Sequence, residues 1–161
     1  MNDYVDKTVA TIDRGKLPRW ISDHVRTYQE TAGKEGHHWD STAVRGTGPV
    51  PCLLLTTVGR RSGKVTTHPL VYGVDSERYV IVASKGGADT HPQWYYNLLA
   101  TPEVTLQVGP ERFRATAALA AGDERRHLWS LMTTVCPPYV DYQAKTRREI
   151  PIFTLRRSPA D

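Results

Sequence analysis

Cysteine is scarce in this 161-residue chain, with only Cys52 in an apolar run and Cys136 ahead of two prolines. Their spacing suits neither a metal site nor a redox pair, so two reduced thiols are expected. Long apolar runs are missing as well. None approaches the roughly 20 residues that a membrane span needs, and the opening MNDYVDKTVATIDR lacks the basic-then-apolar order of a secretion signal. A cytoplasmic location is the expectation. Nucleotide signatures fail in detail: Gly59-x-x-x-Gly63-Lys64 is one residue short of a phosphate loop and runs into Val65 where magnesium needs Ser or Thr. Gly86-Gly87 is no dinucleotide fingerprint. The 6 histidines are scattered without a ligand partner at helical spacing, and adjacent His37 and His38 point apart in any regular element. No metal site is expected, and no carboxylate pair or Ser/His/Asp set competes for a catalytic role.

What is present reads as one globular domain with a real core, at 39% hydrophobic and 24% charged residues. A net charge of +4 and a pI near 9.2 favour an anionic partner without naming it. Between Pro51 and Asn97, three apolar runs, Cys52 to Val58, Val65 to Val74 and Tyr79 to Ser84, read as strands closed by turns. Two of those turns are basic and glycine-rich. Gly59-Arg60-Arg61-Ser62-Gly63-Lys64 carries three cations and Lys85-Gly86-Gly87-Ala88 carries one, and both could offer charge and backbone N–H groups to an anion. Either alone could equally be a solvated hairpin end.

The flanks add helices and three more strands. Pro18 can open a helix whose Ile21, Val25 and Tyr28 form one stripe ending near Gly33, packed on the sheet; Arg19, Trp20 and Arg26 would also suit a lipid interface. Gly46-x-Gly48-Pro49 reads as a linker, giving a helical extension over 1–49 and a barrel domain over 50–157. Pro92 to Leu99 reads as a short helix, Val104 to Val108 and Phe113 to Leu119 as a hairpin, and Ile150 to Leu155 as a last strand. Asp123 can cap a helix stopped by Pro137-Pro138. Six strands and three or four helices without βαβ alternation make an α+β fold, for which a barrel is the economical closure.

The ordered segments LLLTTVGRRSGK, HPLVYG, VIVASKGGA, HPQWYYNLLATPEV and CPPYVDYQAKTRREIPIFTL resemble the deazaflavin-dependent nitroreductase family of actinobacteria, which uses coenzyme F420. The resemblance runs from about Pro51 to Leu155. It implies a six-stranded split β-barrel of the flavin-reductase kind, and reduced coenzyme F420 as hydride donor to a hydrophobic quinone, enone or nitro compound. It also implies the site. Arg60, Arg61, Ser62 and Lys64 would meet the anionic tail, and His68, Pro69 and Leu70, then Ala83, Lys85, Gly86, Gly87 and Ala88, would lie along the cofactor. Trp94 and Asn97 would close that pocket, although Trp94 suits plain core packing as well. Ser84 matches a family serine beside the deazaflavin. Tyr139 and Tyr142 would line the substrate side, either one able to donate a proton after hydride arrives. Cys136 stands three residues before Tyr139, where the family often has another tyrosine, and if the segment is helical the three share a face. Two other readings stay open: a barrel binding FMN, and a non-catalytic carrier of coenzyme F420. A nucleic-acid role lacks an RNA-binding sheet signature, and the oligomeric state is not readable.

Overall fold

The computed structural model describes residues 3–13 and 16–159. The chain runs α1 (Asp3–Asp13), α2 (Arg19–Glu30), β1 (His38–Asp40), a 3-10 turn (Ser41–Val44), β2 (Pro49–Val58), β3 (Val65–Val71), β4 (Gly73–Asp75) and β5 (Arg78–Val82). A second 3-10 turn (Lys85–Gly87) leads to α3 (Gln93–Ala100), β6 (Glu103–Val108), β7 (Glu111–Leu119), α4 (Gly122–Val135), α5 (Pro138–Lys145) and β8 (Ile152–Arg157).

All the strand pairs are antiparallel, in the order β1–β2–β6–β7–β8–β5–β4, with β3 also on β2. Only Tyr72 separates β3 from β4, so a single residue carries the chain from one end of the sheet to the other. The sheet therefore curls into a half-barrel. Alternation sorts its side chains into two cores. Leu53, Leu55, Ile81, Ala83, Phe153 and Leu155 face inward with Trp94 and Leu98 of α3, while Val80, Val82 and Ile152 face outward under Leu128 and Met132 of α4 and Tyr139 of α5.

The α+β class and the helix over Arg19–Glu30 match the sequence reading, but the count of six strands does not. Eight strands are present among the described residues. The apparent single run from Val65 to Val74 breaks at Tyr72, and β1 is a three-residue strand with no alternation to betray it, visible only through its pairing of Trp39 with Val50. The five α-helices among the described residues exceed the expected three or four. Pro137-Pro138 ends α4 as expected and then starts α5, because proline has no N–H to lose in a first helical turn. Asp123 is not the cap of α4: it lies in the first turn, and the cap position is Ala121 with no side-chain hydrogen bond.

The stripe of α2 buries Ile21 and Tyr28 against the sheet. The Tyr28 hydroxyl is 3.0 Å from the Cys52 carbonyl and 3.3 Å from that of Gln107, and it accepts the Gly109 N–H at 2.7 Å. No helix of the described residues is long and apolar enough to cross a membrane.

Candidate cofactor site

The two basic turns follow β2 and β5, and α3 joins them. Its Asn97 is buried, donates to Thr57 Oγ1 of β2 at 3.2 Å, and accepts both the Arg60 backbone N–H at 3.2 Å and Arg60 Nη1 at 3.3 Å. Arg60 Nη2 reaches Gln93 Oε1 at 3.1 Å, and the guanidinium lies 4.8 Å above the Tyr96 ring. One cation of this turn is thus fixed in place. Arg61, Ser62 and Lys64 are exposed. The turn offers fewer free amides than its glycines suggest: Gly59 and Gly63 bond within it, and Lys64 N–H bonds to Ser62 Oγ.

The second loop is built in the opposite way. Ser84 is right-handed at φ −77°, and Lys85, Gly86 and Gly87 follow at φ 46°, 63° and 84°. Such a right-to-left-handed succession turns neighbouring N–H groups to one side and makes an anion-binding concavity. Gly87 N–H and Ala88 N–H close the loop internally on the Ser84 and Lys85 carbonyls. Among the described residues, the N–H groups of Ser84 and Gly86 have no hydrogen-bond partner, whereas the Ala83, Ser84, Lys85, Gly86 and Ala88 carbonyls are all occupied. Glycine is required on the back of the loop as well. A Cβ on Gly87 would stand 2.6 Å from the Tyr142 carbonyl oxygen of α5, and one on Gly86 would run into Val5 of α1. A cleft of about 320 Å³ opens beside this contact, lined by Asp6, Val9, Gly86, Ala88, Asp89 and Lys145.

His68, Pro69 and Leu70 lie on β3. His68 pairs with Leu55, Leu70 packs on the inner core, and His68 Nδ1 is buried with no hydrogen-bond partner among the described residues. Trp94 is a core residue, 5% exposed and 6.1 Å from the Phe153 ring. Ser84 is half-buried, and its carbonyl accepts two hydrogen bonds.

The proposed substrate side falls on the other face of the sheet. Tyr139 and Tyr142 share a face of α5 with their rings 6.2 Å apart, edge to face. Cys136 is not helical with them: it caps the end of α4, yet it is buried in the same cluster at 2% exposure. Burial pushes the Tyr139 and Tyr142 hydroxyls well above the usual tyrosine range, and it pushes the thiols of Cys52 and Cys136 to about 12 and about 11. Both thiols stay protonated and unreactive at neutral pH. Cys136→Tyr should therefore overpack the cluster between α4, α5 and β8 and cost about 1–3 kcal/mol. A thermal melt checks this, and an unchanged melting temperature would mean that the cluster has room for a ring.

Three histidines give the fold a pH dependence. Burial lowers the pKa of His37, His68 and His91 from the ordinary 6.5, with His38 adding to the effect at His37 and Arg148 at His91. The unfolded chain then binds protons that the folded chain refuses, so this stability is fully present above about pH 6.5 and is lost as pH falls through each folded pKa. The urea midpoint should drop between about pH 7.5 and pH 5. Asp40 and Asp75, whose pKa values lie below 3.8, do not titrate in that window. A flat midpoint would contradict the account.

One residue missed in the sequence is Arg148, whose side chain runs under the second loop. Arg147-Arg148 looks like a solvated basic pair, and nothing in their spacing separates the exposed residue from the half-buried one.

The model of a family described as F420H(2)-dependent quinone reductase matches residues 20–157. An F420H(2)-dependent quinone reductase of Mycobacterium tuberculosis (strain ATCC 25618 / H37Rv) is 36% identical over 153 residues, covering 88% of this chain and 98% of the relative. A solved F420-H2 dependent reductase is 43% identical over 66% of this chain and 94% of its own, with a TM-score of 0.62. Another solved structure, a domain-swapped dimer, is 38% identical over 84% of this chain and 98% of its own, at a TM-score of 0.63. The matched residues run from α2 through the last strand and include both basic turns, so this chain belongs to the F420H(2)-dependent quinone reductase family.

Proposed function

We propose that the chain reduces quinones with reduced coenzyme F420, and that the cofactor lies against the Ser84–Ala88 loop, α3 and the Gly59–Lys64 turn. The observation that carries this reading is the loop itself, whose carbonyls are taken up behind it while the Ser84 and Gly86 amides stay open. The residues present fit the group. A phosphate or ring carbonyl oxygen suits those amides, the buried and unpartnered His68 Nδ1 suits a polar atom of the ring system, and Arg60, Arg61 and Lys64 suit the anionic tail.

When bound, the reduced deazaflavin supplies a hydride to the acceptor. The chain's own work is to position and to hold a proton. Ala83 and Ser84 follow the strand that leads into the loop, and the hydroxyl of the half-buried Ser84 is the side-chain group there suited to bond the ring or the acceptor. Tyr142 is the better placed of the two tyrosines to protonate a reduced quinone oxygen, because it is half-buried while Tyr139, at 5% exposure, braces it edge-on. With its pKa raised, Tyr142 keeps its proton until an acceptor oxygen gains charge.

A cytoplasmic location with peripheral membrane approach belongs to the same reading: Leu17 and Trp20 are exposed beside α2, and vesicle co-sedimentation tests it. A second copy is a further partner, supported by the domain-swapped relative and tested by sedimentation velocity. The main test is oxidation of reduced coenzyme F420, followed by absorbance, with soluble quinones as acceptors. Turnover with a quinone is the expected result, and Tyr142→Phe should lower kcat with cofactor affinity kept. A purified chain that carries FMN and leaves reduced coenzyme F420 unoxidised would overturn the reading.

A further inference from the structure

Arg148 sits between α5 and β8, and every nitrogen of its guanidinium is used. Nε donates to the Ala88 carbonyl at 2.7 Å, Nη2 to that of Ser84 at 2.7 Å, and Nη1 to that of Ala83 at 3.2 Å and to His91 Nδ1 at 3.0 Å. A planar fork with fixed donor directions can hold both ends of a loop and the residue before it at once, which an ammonium cannot. Its partners among the described residues are three carbonyls and a histidine, none of them a carboxylate. His91 is held in turn by Tyr95, stacked at 4.1 Å, and by the edge of Tyr96 at 5.9 Å.

The loop needs such a clasp. Three consecutive residues, Lys85, Gly86 and Gly87, lie in the left-handed region, and a non-glycine residue persists there only where its surroundings over-determine it. Drawing the carbonyls back toward one cation has a second effect. It leaves the Ser84 N–H, which shares a trans peptide with the Ala83 carbonyl, on the opposite side with a positive charge behind it that strengthens its pull on an oxygen, while the peptide that carries the Gly86 N–H is held through the Lys85 carbonyl by the Ala88 N–H.

We propose that Arg148 is the positioning residue of this site: it sets cofactor affinity by holding the Ser84–Ala88 loop with its amides outward, without touching the cofactor. This rests on the reading above that the loop belongs to the cofactor. Lys145, which donates to the Gly86 carbonyl at 3.3 Å and to Asp6 at 3.0 Å, takes only one loop carbonyl and cannot replace the fork.

The test compares wild type with Arg148→Lys, which keeps the charge, and Arg148→Met, which keeps the stem. Amide exchange at Gly87 and Ala88 in the cofactor-free protein should speed up in both variants. Affinity for coenzyme F420, titrated by tryptophan fluorescence, should weaken about 10- to 100-fold in both, the size of one or two lost charge-assisted hydrogen bonds. KM for the reduced cofactor should rise while kcat at saturation stays near that of wild type. A thermal melt establishes that each variant is folded at the titration temperature. Wild-type affinity in Arg148→Lys, or exchange unchanged in both variants, would overturn the proposal. A variant that only melts earlier, with its affinity intact, would make Arg148 a stability residue and overturn it too. Wild type that binds no coenzyme F420 would sink the deazaflavin reading, and the exchange rates would still judge the clasp by themselves.

Discussion

Replacing Tyr28 with alanine is expected to cost the fold about 3–5 kcal/mol, a large part of a domain's whole stability. The ring is fully buried between α2 and the sheet, and its hydroxyl joins the Cys52 and Gln107 carbonyls to the Gly109 amide. Tyr28→Phe separates the two contributions. It keeps the ring and leaves the Gly109 N–H and a carbonyl without their partner, which should cost about 1–3 kcal/mol. Urea denaturation of both variants gives the numbers, and a Tyr28→Phe midpoint equal to wild type would mean that water takes over the hydroxyl's bonds.

Removing the cations of the first basic turn should have the largest effect on binding. Exposed pairs contribute about 0.2–1 kcal/mol each, so Arg60→Ala with Arg61→Ala and Lys64→Ala should weaken coenzyme F420 about 3- to 100-fold at low salt. The three are not equivalent. Arg61 and Lys64 are exposed, so their share should fade as the Debye length shrinks from about 30 Å at 0.01 M to 3 Å at 1 M salt. Arg60 is exposed too and is screened likewise, but it is held in place by Asn97, Gln93 and Tyr96, so its share should be the largest of the three at low salt. Titrations of the single and triple variants at both salts read this directly. Equal affinity of triple variant and wild type at low salt would remove the turn from the site.

Much of this was legible in the sequence, because the informative stretches are local. The apolar run of β2 ends at a basic turn, Pro92 opens α3, and the five segments in order carry the family. What stayed hidden depends on tertiary packing. Tyr72 looks like any strand residue, yet it is the corner at which one apolar run changes its place in the sheet. The glycines of the second loop looked like room for a ligand, but the space a Cβ would take at Gly86 and Gly87 is filled by Val5 and the backbone of Tyr142. Trp94 suited pocket and core equally and is in the core, beside Phe153. Cys136, Tyr139 and Tyr142 do gather in one cluster, although the proline pair makes the path a helix end followed by a new helix rather than one helical face.

The order of the sheet ties the abundance of this protein to its cofactor. The strands that carry the two basic turns, β2 and β5, are separated in the sheet order by β6, β7 and β8, and α3, which holds Arg60 through Asn97 and stacks Tyr95 on His91, bridges the two turns. On the proposed site a partly folded chain would have half-sites at most, and coenzyme bound across both turns would bind the native state alone. By mass action, a free cofactor concentration of 100 times Kd then adds about 2.7 kcal/mol to the stability of the whole domain. Cells short of the coenzyme would hold the same chain with that margin gone and a larger unfolded fraction open to proteases, so its steady-state level would follow cofactor supply with no change in its synthesis.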